Sequence, residues 1–576
     1  MKNHTVNFKN QNVSVIAEEG VTLANISNES GFSLDLVCGG KGTCGKCRVE
    51  AEINNEKTSV LACQFKINSD LNVYLSEEDY RKRAQILECS FDSGYTFNPC
   101  LQKIYKDNKT IRAERAEGFL KNCHIDVLRN FSCLVNMCEG ITFIIYNNEV
   151  IDVQPGDTTN YLYGAAVDIG TTTVVMYIYD LNTGELINTF SDLNNQLSAG
   201  ADVISRINYA DNKENLDELN GKIILTLNNM VQRAEFEIPN LKENLYNIIL
   251  CGNSTMQHLF LGLRPDSLGV SPFTCITKEL VELSGNDINL QCTDRCKIVF
   301  LPLLGGFVGA DTTALLLTIA DDDKDRLIID LGTNGEIAAN NKSHYYVAST
   351  ACGPALEGGC IECGMRGTDG AIEKVKIENN DVVIKVIGDT EPLGICGSGI
   401  IDAVSELLRN NIIDKDGRML SKDEYEQLKP YSRLKDRFVE IDGINSFILH
   451  EENKIVYISQ KDIRQVQLAK SSIYSGCMAI MNAMGKDFED IDEIVVAGAF
   501  GNYIDANNAV YLGLLPNFIE KIKFIGNGAG KGASFFLLDS SMNERCKKVT
   551  MNTTHYELAS DEYFTSAYMN NINFTF

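Results

Sequence analysis

Ala166-Val167-Asp168-Ile169-Gly170-Thr171-Thr172-Thr173-Val174 returns later in the chain as Ile329-Asp330-Leu331-Gly332-Thr333-Asn334-Gly335-Glu336-Ile337. Each copy reads as an apolar strand, an aspartate, a glycine turn carrying hydroxyls, and a second strand. A lone Asp-x-Gly-Thr is a weak signal, because most such stretches are only hairpin turns. Two copies at this separation imply two similar halves facing each other across a cleft. Gly170 and Gly332 permit tight turns whose N–H groups point at phosphate oxygens, as Gly335 does at the far side of the second turn. Thr171, Thr172, Thr173 and Thr333 add hydroxyl donors, with Asn334 beside them. Asp168 and Asp330 repel phosphate directly, so they are read as holding Mg²⁺ through its waters.

A third element, Ile494-Val495-Val496-Ala497-Gly498-Ala499-Phe500-Gly501, is a strand ending in small residues, where backbone can approach an adenine and ribose. The three stretches, in this order, resemble the phosphate-1, phosphate-2 and adenosine motifs of the actin, sugar-kinase and Hsp70 superfamily. That resemblance implies ATP as ligand and two helices crossing between the halves. Gly305-Gly-Phe-Val-Gly-Ala-Asp311-Thr-Thr-Ala and Gly526-Asn-Gly-Ala-Gly-Lys-Gly-Ala match their positions. Small residues there let the helices pack closely. Asp311 has two readings, a group orienting water or Mg²⁺ and a helix cap.

Near the N-terminus stands Cys38-Gly-Gly-Lys-Gly-Thr-Cys44-Gly-Lys-Cys47, followed by Cys63 in Leu-Ala-Cys-Gln. One glycine-rich loop holding three cysteines, with a fourth further on, resembles the [2Fe–2S] loop of plant-type and adrenodoxin-type ferredoxins. Zinc also takes four cysteines, but structural zinc usually pairs two C-x₂-C knuckles. The flanks agree with a β-grasp domain: Thr5 to Phe8 and Val13 to Ala17 read as a hairpin, and Arg48 to Ile53 as a strand. A cluster of this kind moves one electron at a time.

At 576 residues the chain has length for several domains. Its formal charge of −26 disfavours nucleic acid, whose phosphates demand a basic face. No stretch approaches ~18 uninterrupted apolar residues, so no membrane span is expected. Nineteen cysteines behind a polar N-terminus indicate a reducing cytoplasm rather than a disulfide scaffold. The expected architecture is a multidomain α/β chain. Residues 1–80 form a ferredoxin-type domain, 81–121 a charged linker, 122–161 a small middle domain, and 162–576 a two-lobed actin-like ATPase. Cys123, Cys133 and Cys138 are read as free buried thiols. Cys360-x₂-Cys363 invites a second metal site, which the absence of another nearby pair argues against.

A ferredoxin domain fused to an actin-like ATPase resembles the reductive activators of corrinoid proteins found in anaerobic one-carbon metabolism. Further segments carry that resemblance: Asn194-Asn-Gln-x₃-Gly-Ala-Asp-Val-Ile-Ser-Arg-Ile, Gly252-Asn-Ser-Thr-Met-Gln-His-Leu, Gly353-Pro-Ala-Leu-Glu-Gly-Gly and Gly394-Ile-Cys-Gly-Ser-Gly-Ile-Ile-Asp. The resemblance implies ATP-dependent one-electron reduction of inactive Co(II) to Co(I), supporting corrinoid-dependent methyl transfer. It implies two partners, a corrinoid protein and a low-potential electron donor, and is compatible with a homodimer. The corrinoid belongs to the partner, since no Asp-x-His-x-x-Gly lower-ligand motif occurs here; His258, at the start of an apparent helix, is read as structural or near the cleft. Three rival readings stand beside it. An ATPase driving electrons into another low-potential enzyme is disfavoured by the Cys38–Cys63 motif, and a small-molecule kinase lacks a clear base beyond Asp311. An ATP-gated binding protein would not need Cys44.

Overall fold

The two apolar runs nearest the N-terminus pair as their alternation requires. In the computed structural model, β1 (Asn3–Phe8) lies antiparallel to β2 (Val13–Glu18). The structure describes residues 3–11, 13–30, 34, 47–53, 56–75, 94–115, 120–121, 123–342, 344–498 and 504–574. A helix, Leu23–Glu29, follows, then β3 (Arg48–Ile53), β4 (Glu56–Leu61) and β5 (Leu71–Tyr74). The sheet order β2-β1-β5-β3-β4, with β1 parallel to β5, is a β-grasp topology. Its core includes Val6, Phe8, Leu23, Val49, Val73, Cys47 and Cys63. Cys38, Cys44 and the charged stretch 76–93 lie outside the described residues.

The expected linker over 81–121 contains folded chain. β6 (Leu101–Asp107) pairs with β7 (Gly140–Tyr146), which pairs with β8 (Glu149–Pro155). The small middle unit therefore starts well before residue 122. Helices Asn108–Arg115 and Ile125–Leu134 cover this sheet, burying Ile111, Val127 and Phe131 against Ile141 and Phe143. Cys123, Cys133 and Cys138 are free, as expected, but none is buried: Cys133 is exposed on helix Ile125–Leu134 and the other two are half-buried.

The echo in the sequence becomes a structural duplication. β9 (Tyr163–Ile169) and β10 (Thr173–Asp180) form the first hairpin, flanked by β11 (Leu186–Leu193), β12 (Leu245–Gly252), β13 (Val281–Ser284) and β14 (Lys297–Phe300). The second sheet holds β15 (Arg326–Leu331), β16 (Gly335–Asn341) and β17 (His344–Thr350). Two small sheets intervene: β18 (Ala371–Glu378), β19 (Asp381–Val386), β20 (Gly394–Ile395), and β21 (Phe438–Ile441), β22 (Ile444–His450), β23 (Val456–Ser459). The second sheet then closes with β24 (Glu493–Ala497), β25 (Ile522–Gly526) and β26 (Thr553–His555).

The large sheets run β11-β10-β9-β12-β14-β13 and β25-β24-β15-β16-β17-β26. Read from the matching edge they are the same fold: an antiparallel hairpin, then two parallel strands beside its first member. β12 is buried along its whole length, as a central parallel strand must be. Helices Ala310–Leu317 and Gly528–Leu538 cross between the lobes. A Cβ on Gly532 would lie 1.7 Å from the Ala314 carbonyl oxygen, so only glycine allows the observed contact. Ala310, Ala314, Ala529 and Ala533 join the core of the first lobe, while Leu315 and Leu317 serve the second.

Candidate functional site

Both echoed turns project to the same cleft, and each is closed by its own backbone. In the first, Ile169 faces Val174 and the Gly170 N–H donates to the Thr173 carbonyl at 3.0 Å. A Cβ on Gly170 would stand 2.5 Å from that oxygen, which explains the glycine. In the second, Leu331 faces Gly335 and the Gly332 N–H donates to the Asn334 carbonyl at 3.1 Å. Gly332 has room for a Cβ, with its nearest neighbour 3.4 Å away. The Thr333 N–H is turned to the Glu357 carboxylate, whereas among the described residues the N–H groups of Thr171, Thr172 and Asn334 donate to no protein acceptor. They are the donors an anion in the cleft would take.

The hydroxyls differ. Thr171 Oγ1 accepts from Asn253 Nδ2 at 2.9 Å, which leaves its proton free to donate outward. Thr333 instead spends its proton on Glu357 Oε2 at 2.7 Å, so it is not the free hydroxyl donor that the sequence suggests. The Cys352 thiol lies behind the same turn, 3.3 Å from the Gly332 carbonyl and 3.4 Å from that of Thr333.

Three aspartates converge between the turns. Asp168 is the penultimate residue of β9, Asp330 that of β15, and Asp311 sits in the first turn of helix Ala310–Leu317. All three are half-buried at the cleft floor. Desolvation pushes the Asp168 carboxyl up to about 7, with Asp311 adding to the rise and an Asn527 hydrogen bond opposing it. Asp330 is pushed up to about 8 by desolvation and by the charges of Asp311, Asp168 and Glu357. Asp311 rises to about 6, again mainly by desolvation. Glu336, which faces Asp330 across the β15–β16 ladder, is buried and raised by desolvation and the same two aspartates. Such crowding of acids in one place suits a divalent cation, which would let them ionise together. Asp311 does not cap its helix: Gly309 occupies that position, and Asp311 Oδ1 accepts from the next backbone N–H, that of Thr312, at 2.7 Å.

The third element behaves as its small residues require. Gly498 has φ +114°, and a Cβ there would be 2.3 Å from the Leu331 carbonyl oxygen. Ala499 and Gly501 lie outside the described residues. Asn527 begins the second crossing helix, where its side-chain oxygen caps Gly530 N–H at 2.8 Å and its amide donates to Asp168 Oδ2 at 3.0 Å. The helix that crosses between the lobes is thus tied directly to the first aspartate.

At the N-terminal domain, Cys47 and Cys63 are buried cysteines, only 2% and 8% exposed. They are brought together by the β3–β4 ladder, in which Arg48 faces Leu61 and the Ala62 N–H donates to the Cys47 carbonyl at 2.9 Å. Gln64 Nε2 lies 3.8 Å from Cys63 Sγ, an N–H···S contact. Two adjacent buried thiols with an amide donor fit iron ligation. Cys360 and Cys363, by contrast, are set apart: Cys360 is exposed in a left-handed conformation, and Cys363 faces the Ile455 carbonyl. His258 is structural, with Nδ1 on the Ser254 carbonyl at 2.7 Å and Nε2 accepting from the Ile276 N–H at 3.1 Å.

Glu336, Glu357, Asn527, Asn253, Asn194 and Arg206 are cleft residues that motif spacing does not single out. All six lie inside stretches quoted from the sequence, but only the tertiary fold brings them to the two turns and the aspartates between them.

The chain matches two family models, the RACo middle region over residues 163–322 and the C-terminal ASKHA domain of RACo over 324–575. It is 43% identical over 575 residues to a corrinoid activation enzyme, RamQ, of Eubacterium limosum, covering 96% of each chain. A Methanosarcina barkeri protein described as a [Co(II) methylated amine-specific corrinoid protein] reductase is 25% identical over 448 residues, covering 71% of this chain and 76% of that one. Among solved structures, a reductive activator for corrinoid, iron-sulfur protein superposes with a TM-score of 0.75 at 27% identity, covering 99% of this chain and 98% of that one.

Proposed function

The chain belongs to the RACo family of corrinoid-protein activators, and from that premise we propose that it couples Mg·ATP in the two-lobed cleft to one-electron reduction of a partner's corrinoid, from Co(II) to Co(I). The observation that carries the ATP half is the pair of equivalent turns, with free N–H donors above three converging aspartates. Asp168 and Asp330 would hold Mg²⁺ through water, with Asp311 between them. Thr171, Thr172 and Asn334 offer N–H groups to the phosphates, while Gly498 keeps the adenosine side open. Cys38, Cys44, Cys47 and Cys63 would hold a [2Fe–2S] cluster, which when bound supplies one-electron transfer.

ATP helps an uphill electron transfer only by binding one conformation better than another, or by driving release through hydrolysis. The closely packed crossing helices, one of them tied to Asp168 through Asn527, connect the nucleotide site to the cores of both lobes. No helix among the described residues is long and apolar enough to cross a membrane. The corrinoid protein and a low-potential donor are the partners, and the acidic surface of the chain does not suit nucleic acid.

Two variants separate the halves. Cys47→Ser abolishes Co(I) formation while Mg·ATP still binds. Asp330→Ala removes Mg·ATP binding and leaves the visible spectrum of the cluster unchanged. Loss of both properties in a folded single variant contradicts this division of labour. Iron and sulfide analysis after reconstitution should give two irons per chain, and four would contradict the single [2Fe–2S] assignment.

A further inference from the structure

We infer that Arg206 is a positioning residue for the phosphates of ATP, acting through the Gly170–Thr173 turn without touching the nucleotide. Arg206 belongs to helix Val203–Tyr209, capped by Asp202, and its side chain is 0% exposed. Its guanidinium has only neutral acceptors: Nε donates to the Gly200 carbonyl at 2.9 Å, and Nη1 reaches Gln196 Oε1 at 3.2 Å and Met256 Sδ at 3.4 Å. Nη2 donates to the Thr171 carbonyl. No carboxylate lies within ion-pair distance of it among the described residues. Asp202, whose charge it feels, is occupied by the Ser205 N–H and hydroxyl at 2.8 Å. Burial without a counterion is costly for an arginine, so a purely packing role is a poor explanation of it.

The rest of the turn shows what this charge accomplishes. Each oxygen on its rear side is engaged from behind. Asn194 Nδ2 donates to the Gly170 carbonyl at 3.0 Å, Asn194 N–H to the Thr172 carbonyl at 3.0 Å, Asn253 Nδ2 to Thr171 Oγ1, and Arg206 to the Thr171 carbonyl. The N–H groups of Thr171 and Thr172 consequently face the cleft without protein partners. The Thr171 carbonyl and the Thr172 N–H belong to one peptide unit. A cation on that oxygen polarises the unit and strengthens the N–H as a donor to an anion. Arg206 also sets a fixed positive charge behind the phosphates, in a cleft that otherwise holds mainly acids.

The segments beginning at Asn194 and Gly252 thereby acquire a common purpose. They reach the turn from two directions, and Met256 contacts both Arg206 and Asn194.

This inference rests on the nucleotide reading above, and the test keeps the two apart. Binding of Mg·ATP, Mg·ADP and adenosine is measured for the full-length protein and for Arg206→Gln, Arg206→Lys and Asn253→Ser, with a thermal melt of each. Arg206→Gln is expected to weaken Mg·ATP by about 100-fold while adenosine stays within about 3-fold. Arg206→Lys keeps the charge but not the fork, and should lose about 10-fold for Mg·ATP only. It also supplies the answer should the glutamine variant fail to fold. Asn253→Ser retains a helix cap while releasing Thr171, and should show the same selective loss at smaller size. Equal weakening of adenosine and Mg·ATP, or an unchanged Mg·ATP affinity in the folded arginine variants, overturns the role given to Arg206. A wild-type protein that binds no Mg·ATP defeats the nucleotide reading itself.

Discussion

The two turns of the duplicated hairpin share a backbone path and differ in what stands behind them. The Gly170–Thr173 turn is backed by a buried cation, with Asn194 and Asn253 tying its remaining oxygens. The Gly332–Gly335 turn is backed by an acid, since the Thr333 hydroxyl donates to Glu357 and Cys352 lies against its carbonyls. Duplication therefore supplied the geometry, and later residues gave each copy an electrostatic sign. The first copy is prepared for phosphate. The second, with Asp330, Glu336 and Glu357 around it, carries more of the acid that suits a cation and its water, a role it shares with Asp168 of the first.

The largest effect should come from the acidic side. Asp330→Asn is expected to reduce ATP turnover by at least about 100-fold, because it removes one of the two carboxylates assigned to hold Mg²⁺. The same variant should raise the melting temperature of the nucleotide-free protein. Folded carboxyls held near 7 and 8, against an ordinary 3.8, bind protons that the unfolded chain releases. Stability without Mg·ATP should therefore fall as pH rises from about 4 to about 8, most steeply in wild type and less in Asp330→Asn. Melts that are flat across this range contradict the crowding of acids on which the comparison depends.

Glu357→Gln comes next. It retains an acceptor for Thr333 and removes a charge, so nucleotide binding should survive within a few-fold while turnover falls about 10-fold. A variant that loses binding instead would place Glu357 on the phosphate side and erase the contrast between the turns. The smallest effects test the backbones. Gly170→Ala must open the first turn, given the 2.5 Å approach to Thr173, and should cost about 1–3 kcal/mol of stability. Gly332→Ala has 3.4 Å of room and should cost less than about 1 kcal/mol, as read from paired denaturation curves.

How far the sequence reveals this arrangement depends on the range of the interaction. The echoed stretches, the third glycine element and the small residues of the crossing helices are local patterns, so both lobes are legible from them. β6 escapes notice because its alternation is weak: Leu101 is buried, but Ile104 and Tyr105 remain over a third exposed. Arg206 and Glu357 are hidden for another reason. Arg206 lies 35 residues beyond the Thr171 it supports, and Glu357 lies 24 beyond Thr333. Spacing alone cannot distinguish such residues from ordinary surface charges, which is how an isolated arginine or glutamate is usually spent. The cap reading of Asp311 fails because Gly309, which has no side chain to cap with, opens that helix one residue earlier than Ala310 and two before Asp311.

The central claim is that ATP in the cleft drives an electron onto a partner's cobalt. The most direct measurement mixes the reconstituted protein anaerobically with a reductant and a Co(II) corrinoid protein from the same cell, and follows the visible spectrum with and without Mg·ATP. The account predicts a Co(I) band that grows only with Mg·ATP and is absent with Cys47→Ser. A Co(I) band of equal size without nucleotide, or none with any corrinoid partner despite an intact cluster and ATP turnover, would contradict it.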